Sequence, residues 1–116
     1  MKRFLILSFC LLSLGSCGSG NKPAGLLSED KMVEVLIDIH ITEGLTGAIP
    51  VSYDSSKVLY SLLEKDVFLK HQVSDSVFTQ SMLYYLQDPA EMEQIYSRVV
   101  DSLVVRESSG GVLDQF

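Results

Sequence analysis

Two residues of one predicted helix have side chains that could bind a metal ion or transfer a proton. His40 and Glu43 are three positions apart, which places both side chains on the same helix face. An imidazole beside a carboxylate can supply two zinc ligands or an acid-base pair. A zinc site needs at least one more ligand, and Glu34 and Asp38 fall on another face at about 100° per residue. We therefore expect His40 to lie at the core boundary, bonded to Glu43 or to another helix, and we predict neither enzymatic activity nor a cofactor.

A third reactive side chain, the thiol of Cys17, ends a segment with the organisation of a bacterial lipoprotein signal. Lys2 and Arg3 form a positively charged start, residues 4–14 are apolar, and Leu14-Gly15-Ser16 places small residues directly before the cysteine. The apolar run has about half of the roughly 20 residues that a bilayer-spanning helix needs. This segment is therefore predicted to be a signal and not a transmembrane helix.

The position of the thiol separates a lipoprotein signal from an ordinary secretory signal, which could also be cleaved after small residues. Lipoprotein processing cleaves between Ser16 and Cys17 and attaches diacylglycerol to the thiol, whereas Cys10 follows a bulky phenylalanine. We predict a signal peptide over residues 1–16 and a covalent lipid on Cys17, followed by a flexible tether over residues 17–25. Two or three acyl chains would anchor the protein stably in a membrane.

The composition of the mature chain limits its chemistry and its location. The signal carries two of the nine basic residues and none of the fifteen acidic ones, so the remaining chain has a net charge of −8. This sign argues against nucleic acid as a partner and against electrostatic adhesion to anionic lipid. Because Cys10 is removed and Cys17 is lipidated, no thiol remains for a disulfide. Ser19 is not the aspartate that is associated with inner-membrane retention, so we predict an outer-membrane protein. No acidic cluster of the kind that sends some lipoproteins to the cell surface follows Cys17, so we predict that it faces the periplasm.

The rest of the chain shows four helix starts, and these predict an all-α fold, a small bundle of about four helices over residues 26–106. The predicted N-caps are Ser28, Asp54, Ser74 and Asp88, the last followed by proline. We expect the first helix to loosen at Gly44 and Gly47, the second to end near His71 with that side chain complementing the helix dipole, and residues 107–116 to form a disordered tail.

The apolar residues predict how these helices pack. The second helix carries a broad apolar arc that includes Val58 and Leu62, which predicts two neighbours. The fourth helix has an apolar face formed by Met92, Ile95, Tyr96, Val99, Val100, Leu103 and Val104. Ser81 lies within the apolar face of the third helix, and its small side chain could let another helix pack closely against that face.

Two tyrosines are predicted to be core residues, and a third is a candidate for contact with a partner. Tyr85 and Tyr96 fall on apolar helix faces. Tyr84 lies off the main face beside Leu83, and tyrosine is favoured at interfaces for its large apolar body and polar tip. Leu83 and Tyr84 are therefore the predicted partner contacts.

The helical part resembles an uncharacterised family of small Bacteroidetes lipoproteins with a domain of unknown function. The resemblance rests on Lys22-Pro23, Met32 to Glu43, Phe78 to Tyr85, and Asp88-Pro89 to Leu103. It implies a lipid-anchored helical domain and supplies no active site. The short helices after His71 also resemble the N-terminal helical domain of periplasmic peptidyl-prolyl isomerase chaperones, although no isomerase domain follows.

Two tripeptides resemble the Asp-Ser/Thr-apolar acceptor of protein O-glycosylation in Bacteroidetes. They are Asp75-Ser76-Val77 and Asp101-Ser102-Leu103. Ser76 and Ser102 are therefore candidate glycosylation sites, and the alternative is that both simply belong to solvated helix surfaces.

These features favour a non-enzymatic, lipid-anchored module that binds another component of the cell envelope. One alternative is a chaperone-like module that holds unfolded chains in transit. The other alternative is a small metal-binding or hydrolytic protein that uses His40 and Glu43. The sequence leaves the partner and the oligomeric state open.

Overall fold

The computed structural model describes residues 23–110, and within them the chain forms four α-helices and no β-strand. The helices are α1 (Glu29–Ala48), α2 (Tyr53–His71), α3 (Asp75–Leu86) and α4 (Pro89–Ser108). The predicted all-α fold is confirmed. The predicted signal, the lipidated Cys17 and residues 111–116 lie outside the described residues.

Three of the four predicted helix starts are confirmed by the side chains that cap them. Ser28, Ser74 and Asp88 each accept hydrogen bonds from backbone amides in the first turn of the following helix. Pro89 then occupies the start of α4, where its missing N–H would have had no helical partner.

The predicted start of α2 was wrong by two residues. Ser52, not Asp54, is the N-cap, and its hydroxyl accepts a hydrogen bond from the amide of Ser55. Serine and aspartate cap helices about equally well, so residue type alone does not choose between them. Asp54 instead lies in the first turn, where its charge complements the helix dipole.

The end of α1 also differs from the prediction, because the helix continues through Gly44 and Gly47 to Ala48. Each glycine costs about 1 kcal/mol relative to alanine in a helix. Thr42 and Thr46 are buried in the same turns, and the Thr46 hydroxyl donates to the carbonyl of Thr42. Burial of these turns offsets the weak helix propensity of the glycines.

Helix α1 is the central element, and it is buried on nearly every side. One cluster of core residues joins α1 to α3 and α4, and a second joins α1 to α2. The buried apolar residues are Met32, Val33, Val35, Leu36, Ile37, Ile39, Ile41, Val67, Phe68, Tyr85, Met92, Ile95 and Val99. Only two of these thirteen, Val67 and Phe68, come from α2, and both lie in its last two turns.

The broad apolar faces predicted for α2 and α4 are only partly buried. Val58 and Leu62 of α2 are exposed, so the prediction that two neighbours cover this arc was wrong. Val100 and Val104 of α4 are exposed as well. The reason is that α1 is a single helix and covers only one stripe of each neighbour, which leaves the edges of a wide apolar arc in solvent.

The segment before α1 is fixed to α3 by two hydrogen bonds. The Leu27 amide donates to the Ser81 hydroxyl at 2.9 Å, and the Tyr85 hydroxyl donates to the Leu27 carbonyl at 2.6 Å. Ser81 therefore admits this extended segment and not a helix. Tyr85 is fully buried and Tyr96 partly buried, in agreement with their predicted core positions.

Candidate functional site

The most connected polar side chain of the described residues is Asp38, in the middle of α1. Its Oδ2 atom lies 2.9 Å from the Lys70 ammonium and 2.7 Å from His71 Nε2, both in the last turn of α2. Its Oδ1 atom lies 3.7 Å from the Arg106 guanidinium, in the last turn of α4. We call these four residues the Asp38 cluster, and it ties α2 and α4 to the central helix.

Burial and charge act in opposite directions on the Asp38 carboxyl. Only 14 % of its side chain is exposed, and burial by itself raises the pKa of Asp38. The hydrogen bonds from Lys70 and His71, together with their positive charge, outweigh burial and hold the pKa below its ordinary value. Asp38 is therefore an ionised carboxylate at neutral pH.

A groove of about 270 Å³ opens beside this cluster, between α1 and α2. Its apolar wall is formed by Ile41, Leu63 and Val67, and Asp38 and Lys70 stand at its edge. Lys70 is mostly exposed although it bonds to Asp38, so its aliphatic stem passes along the groove edge while its charge stays hydrated. The groove can thus receive an apolar side chain next to charged groups.

The predicted pair of His40 and Glu43 is brought together at the opposite side of α1. His40 Nδ1 lies 2.9 Å from a Glu43 carboxylate oxygen, and the His40 ring lies 5.8 Å from that of Tyr96. His40 Nε2 is buried and has no hydrogen-bond partner in the described part of the chain. In this conformation one imidazole nitrogen is held by Glu43 and the other is shielded from solvent.

No third metal ligand joins this pair, since residues 23–110 contain no group of three histidine, cysteine, aspartate or glutamate side chains placed to hold a metal ion. Glu43 instead faces two tyrosines. Burial and then the nearby charges of Glu64 and Glu43 raise the pKa of Tyr60 to about 12. Burial and the Glu43 charge also raise the pKa of Tyr96.

The predicted partner contacts and glycosylation sites lie on α3 and α4. Leu83 is exposed, whereas Tyr84 is half-buried with its ring edge-on to Tyr85. Ser76 is exposed in the first turn of α3. Ser102 lies within α4, and its hydroxyl donates to the carbonyl of Arg98. Roles in partner binding and glycosylation stay predictions for these residues.

Sequence reasoning missed the Asp38 cluster. His71 was expected only to complement the helix dipole, but it is bonded to Asp38 and its side chain is just 10 % exposed. The available signal was the charge of Asp38 between Ile37 and Ile39, in a helix that is apolar on almost every side. A carboxylate there needs a cationic partner, because burying an unpaired charge is costly.

Comparisons with known proteins give a family but no function. Among residues 23–110, no helix is both long enough and apolar enough to span a membrane. None of the curated proteins and none of the solved structures matches the chain. One protein family, described as "Domain of unknown function (DUF4296)", matches residues 23–109. Since this match covers most of the sequence, the chain belongs to that family.

Proposed function

We propose that this chain is a lipid-anchored domain of the cell envelope, held in the outer membrane by Cys17 and facing the periplasm, that binds a protein partner without catalysing a reaction. The lipoprotein motif that ends at Cys17 supports the anchor. In the helical domain, the polar side chains that could act in catalysis are bonded to each other, and this supports binding over catalysis.

The observation that carries the proposal is the groove between α1 and α2. The polar side chains that could do chemistry are engaged with each other, as Asp38 is with His71 and Glu43 is with His40. Leu63, by contrast, lines an open apolar groove. Open concave apolar surface with a few charged groups at its edge is typical of recognition sites.

The groove also indicates what it would bind. A 150 Å³ apolar cavity holds a molecule of the size of benzene, so about 270 Å³ suits one or two apolar side chains. Asp66 lines the same groove and has no ion pair among the described residues. A basic residue next to the inserted apolar side chain would complement it, and the partner segment is therefore expected to be apolar and basic.

The test is site-specific photocrosslinking in cells, with benzoylphenylalanine at position 63 in the groove and, as a matched control, at position 83 on α3. We expect a discrete adduct from position 63. The captured protein should then bind the purified chain, with Leu63→Ser weakening binding and Leu83→Ser leaving it unchanged. An adduct from position 83 alone, with Leu83→Ser weakening binding and Leu63→Ser leaving it unchanged, would move the interface to the predicted Leu83 and Tyr84 surface.

Two other functions predict different results. A chaperone-like module would suppress aggregation of an unfolded outer-membrane protein at stoichiometric concentration, and Leu63→Ser would remove that effect. A metal-binding or hydrolytic protein would contain stoichiometric metal, which a double variant of His40→Ala and Glu43→Ala would lose. Elemental analysis of the native protein separates the metal hypothesis from the other two.

A further inference from the structure

The groove between α1 and α2 lies beside the end of α4. Arg106 belongs to the last turn of α4, and its guanidinium lies 3.7 Å from Oδ1 of Asp38. Asp38 also lines the groove, and Ile41 and Thr42 line it one turn further along α1. The contact between Arg106 and Asp38 therefore holds the end of α4 at the edge of the groove.

The chain changes direction where α4 ends. Gly110 adopts a left-handed conformation, with φ 69°, and its amide donates to the carbonyl of Glu107 at 3.1 Å. A left-handed glycine is a common way to end a helix, because it takes the backbone out of the helical path without steric cost. The last described residue thus directs the chain away from the axis of α4.

The six residues that follow carry side chains of the kind that the groove can hold. They are Gly111, Val112, Leu113, Asp114, Gln115 and Phe116, of which three are apolar. We call residues 111–116 the 111–116 segment. An extended chain spans about 3.5 Å per residue, so Leu113 can lie roughly 10 Å and Phe116 roughly 20 Å from Gly110. The segment is therefore long enough to return over the roughly 6 Å of helix between Gly110 and Arg106 and to enter the groove.

The charges around the groove fit this segment only in part. Asp114 follows Leu113 directly, and the Lys70 side chain at the groove edge is 62 % exposed. With Leu113 in the groove, the Asp114 carboxylate can pair with the Lys70 ammonium. Asp66 lines the same groove and gains no cation, because the only charged side chain of the segment is acidic. A basic partner would complement Asp66 as well, and it can therefore displace the segment.

Proximity favours this segment over the same segment of a second copy of the chain. A linker of a few residues gives an effective concentration on the order of millimolar at a site that it can reach. The contact between Arg106 and Asp38 provides such a short connection within one molecule. A second copy has no corresponding contact that would bring its own α4 to this groove.

We propose that the 111–116 segment occupies the groove between α1 and α2 in the free protein, with Leu113 inserted and Asp114 beside Lys70, and that a protein partner must displace it. The displacement rests on the proposed function, whereas the occupancy does not. If the groove is free in about one molecule in ten, the partner binds about tenfold more weakly than it would to an empty groove. The segment thus keeps the apolar groove covered until a basic partner binds.

Paired cysteines test the occupancy in the lipidated full-length chain, where the proposed processing leaves no other free thiol. Leu113→Cys is combined with Leu63→Cys in the groove or, as a matched control, with Leu69→Cys. Leu69 is exposed, precedes Lys70 in the last turn of α2, and is not among the residues that line the groove. We expect an intramolecular disulfide in most molecules of the 63 and 113 pair and in few of the control pair, measured by non-reducing electrophoresis and intact mass.

The control pair gives the result that contradicts the occupancy. A segment that does not enter the groove would reach position 69 at least as readily as position 63, because position 69 adjoins the Asp38 cluster. Equal yields from the two pairs, or no disulfide from either, would overturn the proposal. Disulfide-linked dimers in place of the intramolecular bond would also overturn it and would assign the groove to a second copy.

Deletion of residues 111–116 tests the displacement. The partner captured from position 63 should bind the shortened chain about tenfold more tightly. Leu113→Ser should strengthen binding in the same direction, and Gln115→Ala, a control in the same segment, should leave it unchanged. Unchanged affinity after the deletion would overturn the displacement. A disulfide preference for position 63 with no partner captured there would refute the proposed function and support the occupancy, so the two failures are distinguishable.

Discussion

The imidazole of His71 and the carboxylate of Asp38 lie 2.7 Å apart, although 33 positions separate them in the sequence. Their side chains are only 10 % and 14 % exposed. The contact joins the last turn of α2 to the middle of α1, and the Arg106 guanidinium approaches the same carboxylate from α4. Asp38 is therefore the polar group through which three helices are connected.

Removing the Asp38 carboxylate should destabilise the fold far more than removing an exposed one. Asp38→Ala leaves His71 and Lys70 without their acceptor, and we expect the free energy of unfolding to fall by about 1–3 kcal/mol. Asp30→Ala is the control, because Asp30 pairs with Arg98 at the same distance, 2.7 Å, but is largely exposed. Surface pairs contribute about 0.2–1 kcal/mol. Urea unfolding followed by circular dichroism compares the two, and equal losses would show that the Asp38 cluster does not stabilise the fold specially.

The lowered pKa of Asp38 makes stability depend on pH in the acid range. Its stabilising contribution is fully present above the ordinary aspartate value of about 4 in the unfolded chain, and it is lost as the pH falls through the lower value in the folded protein. Stability should therefore decrease on acidification below about pH 4. Asp38→Asn should make this part of the pH profile flatter, as measured by thermal unfolding at a series of pH values. A profile unchanged by the substitution would contradict the pairing.

Local signals were enough to predict the helices, whereas the contacts between helices were not predictable. Ser28, Ser74 and Asp88 cap the helices that follow them directly. A few neighbouring positions in the sequence are therefore enough to predict where each helix begins. The bond between Asp38 and His71 depends on how α2 folds back along α1, which no local spacing encodes. The same limit explains why Val58 and Val104 lie on predicted apolar faces but are exposed. An apolar helix position becomes part of the core only if another helix covers it.

The charge of Glu43 should be measurable at two tyrosines. Burial and the charges of Glu64 and Glu43 raise the pKa of Tyr60 to about 12, and burial with Glu43 raises that of Tyr96. Glu43→Gln removes one negative charge, so both phenols should ionise at lower pH than in the unmodified chain. Ultraviolet titration of phenolate absorbance measures this change, and His40→Gln serves as a control that retains the Glu43 charge. An unchanged titration curve in Glu43→Gln would show that this carboxylate does not act on either ring.

The end of α2 offers a stabilising substitution. Gln72 adopts a left-handed conformation, with φ 56° and ψ 41°, and its amide donates to the Leu69 carbonyl. Glycine adopts this conformation without steric cost, whereas other residues pay about 1 kcal/mol or more. Gln72→Gly should therefore raise the free energy of unfolding by about 0.5–1 kcal/mol. Gln72→Val, which is stiffer at this position, should lower it, and thermal unfolding of both variants gives the comparison.

The Ser81 hydroxyl should fix the segment before α1 through its hydrogen bond with the Leu27 amide. Ser81 is fully buried, accepts from the Leu27 amide and donates to the Val77 carbonyl. Ser81→Ala leaves the Leu27 amide without this acceptor, which should cost about 1–3 kcal/mol and speed hydrogen exchange at that amide. Tyr85→Phe removes the hydrogen bond that the Tyr85 hydroxyl donates to the Leu27 carbonyl. Because both variants release Leu27, their effects on stability should not add, and a double-mutant cycle measures the coupling. Strict additivity would show that the two bonds hold the segment independently of each other.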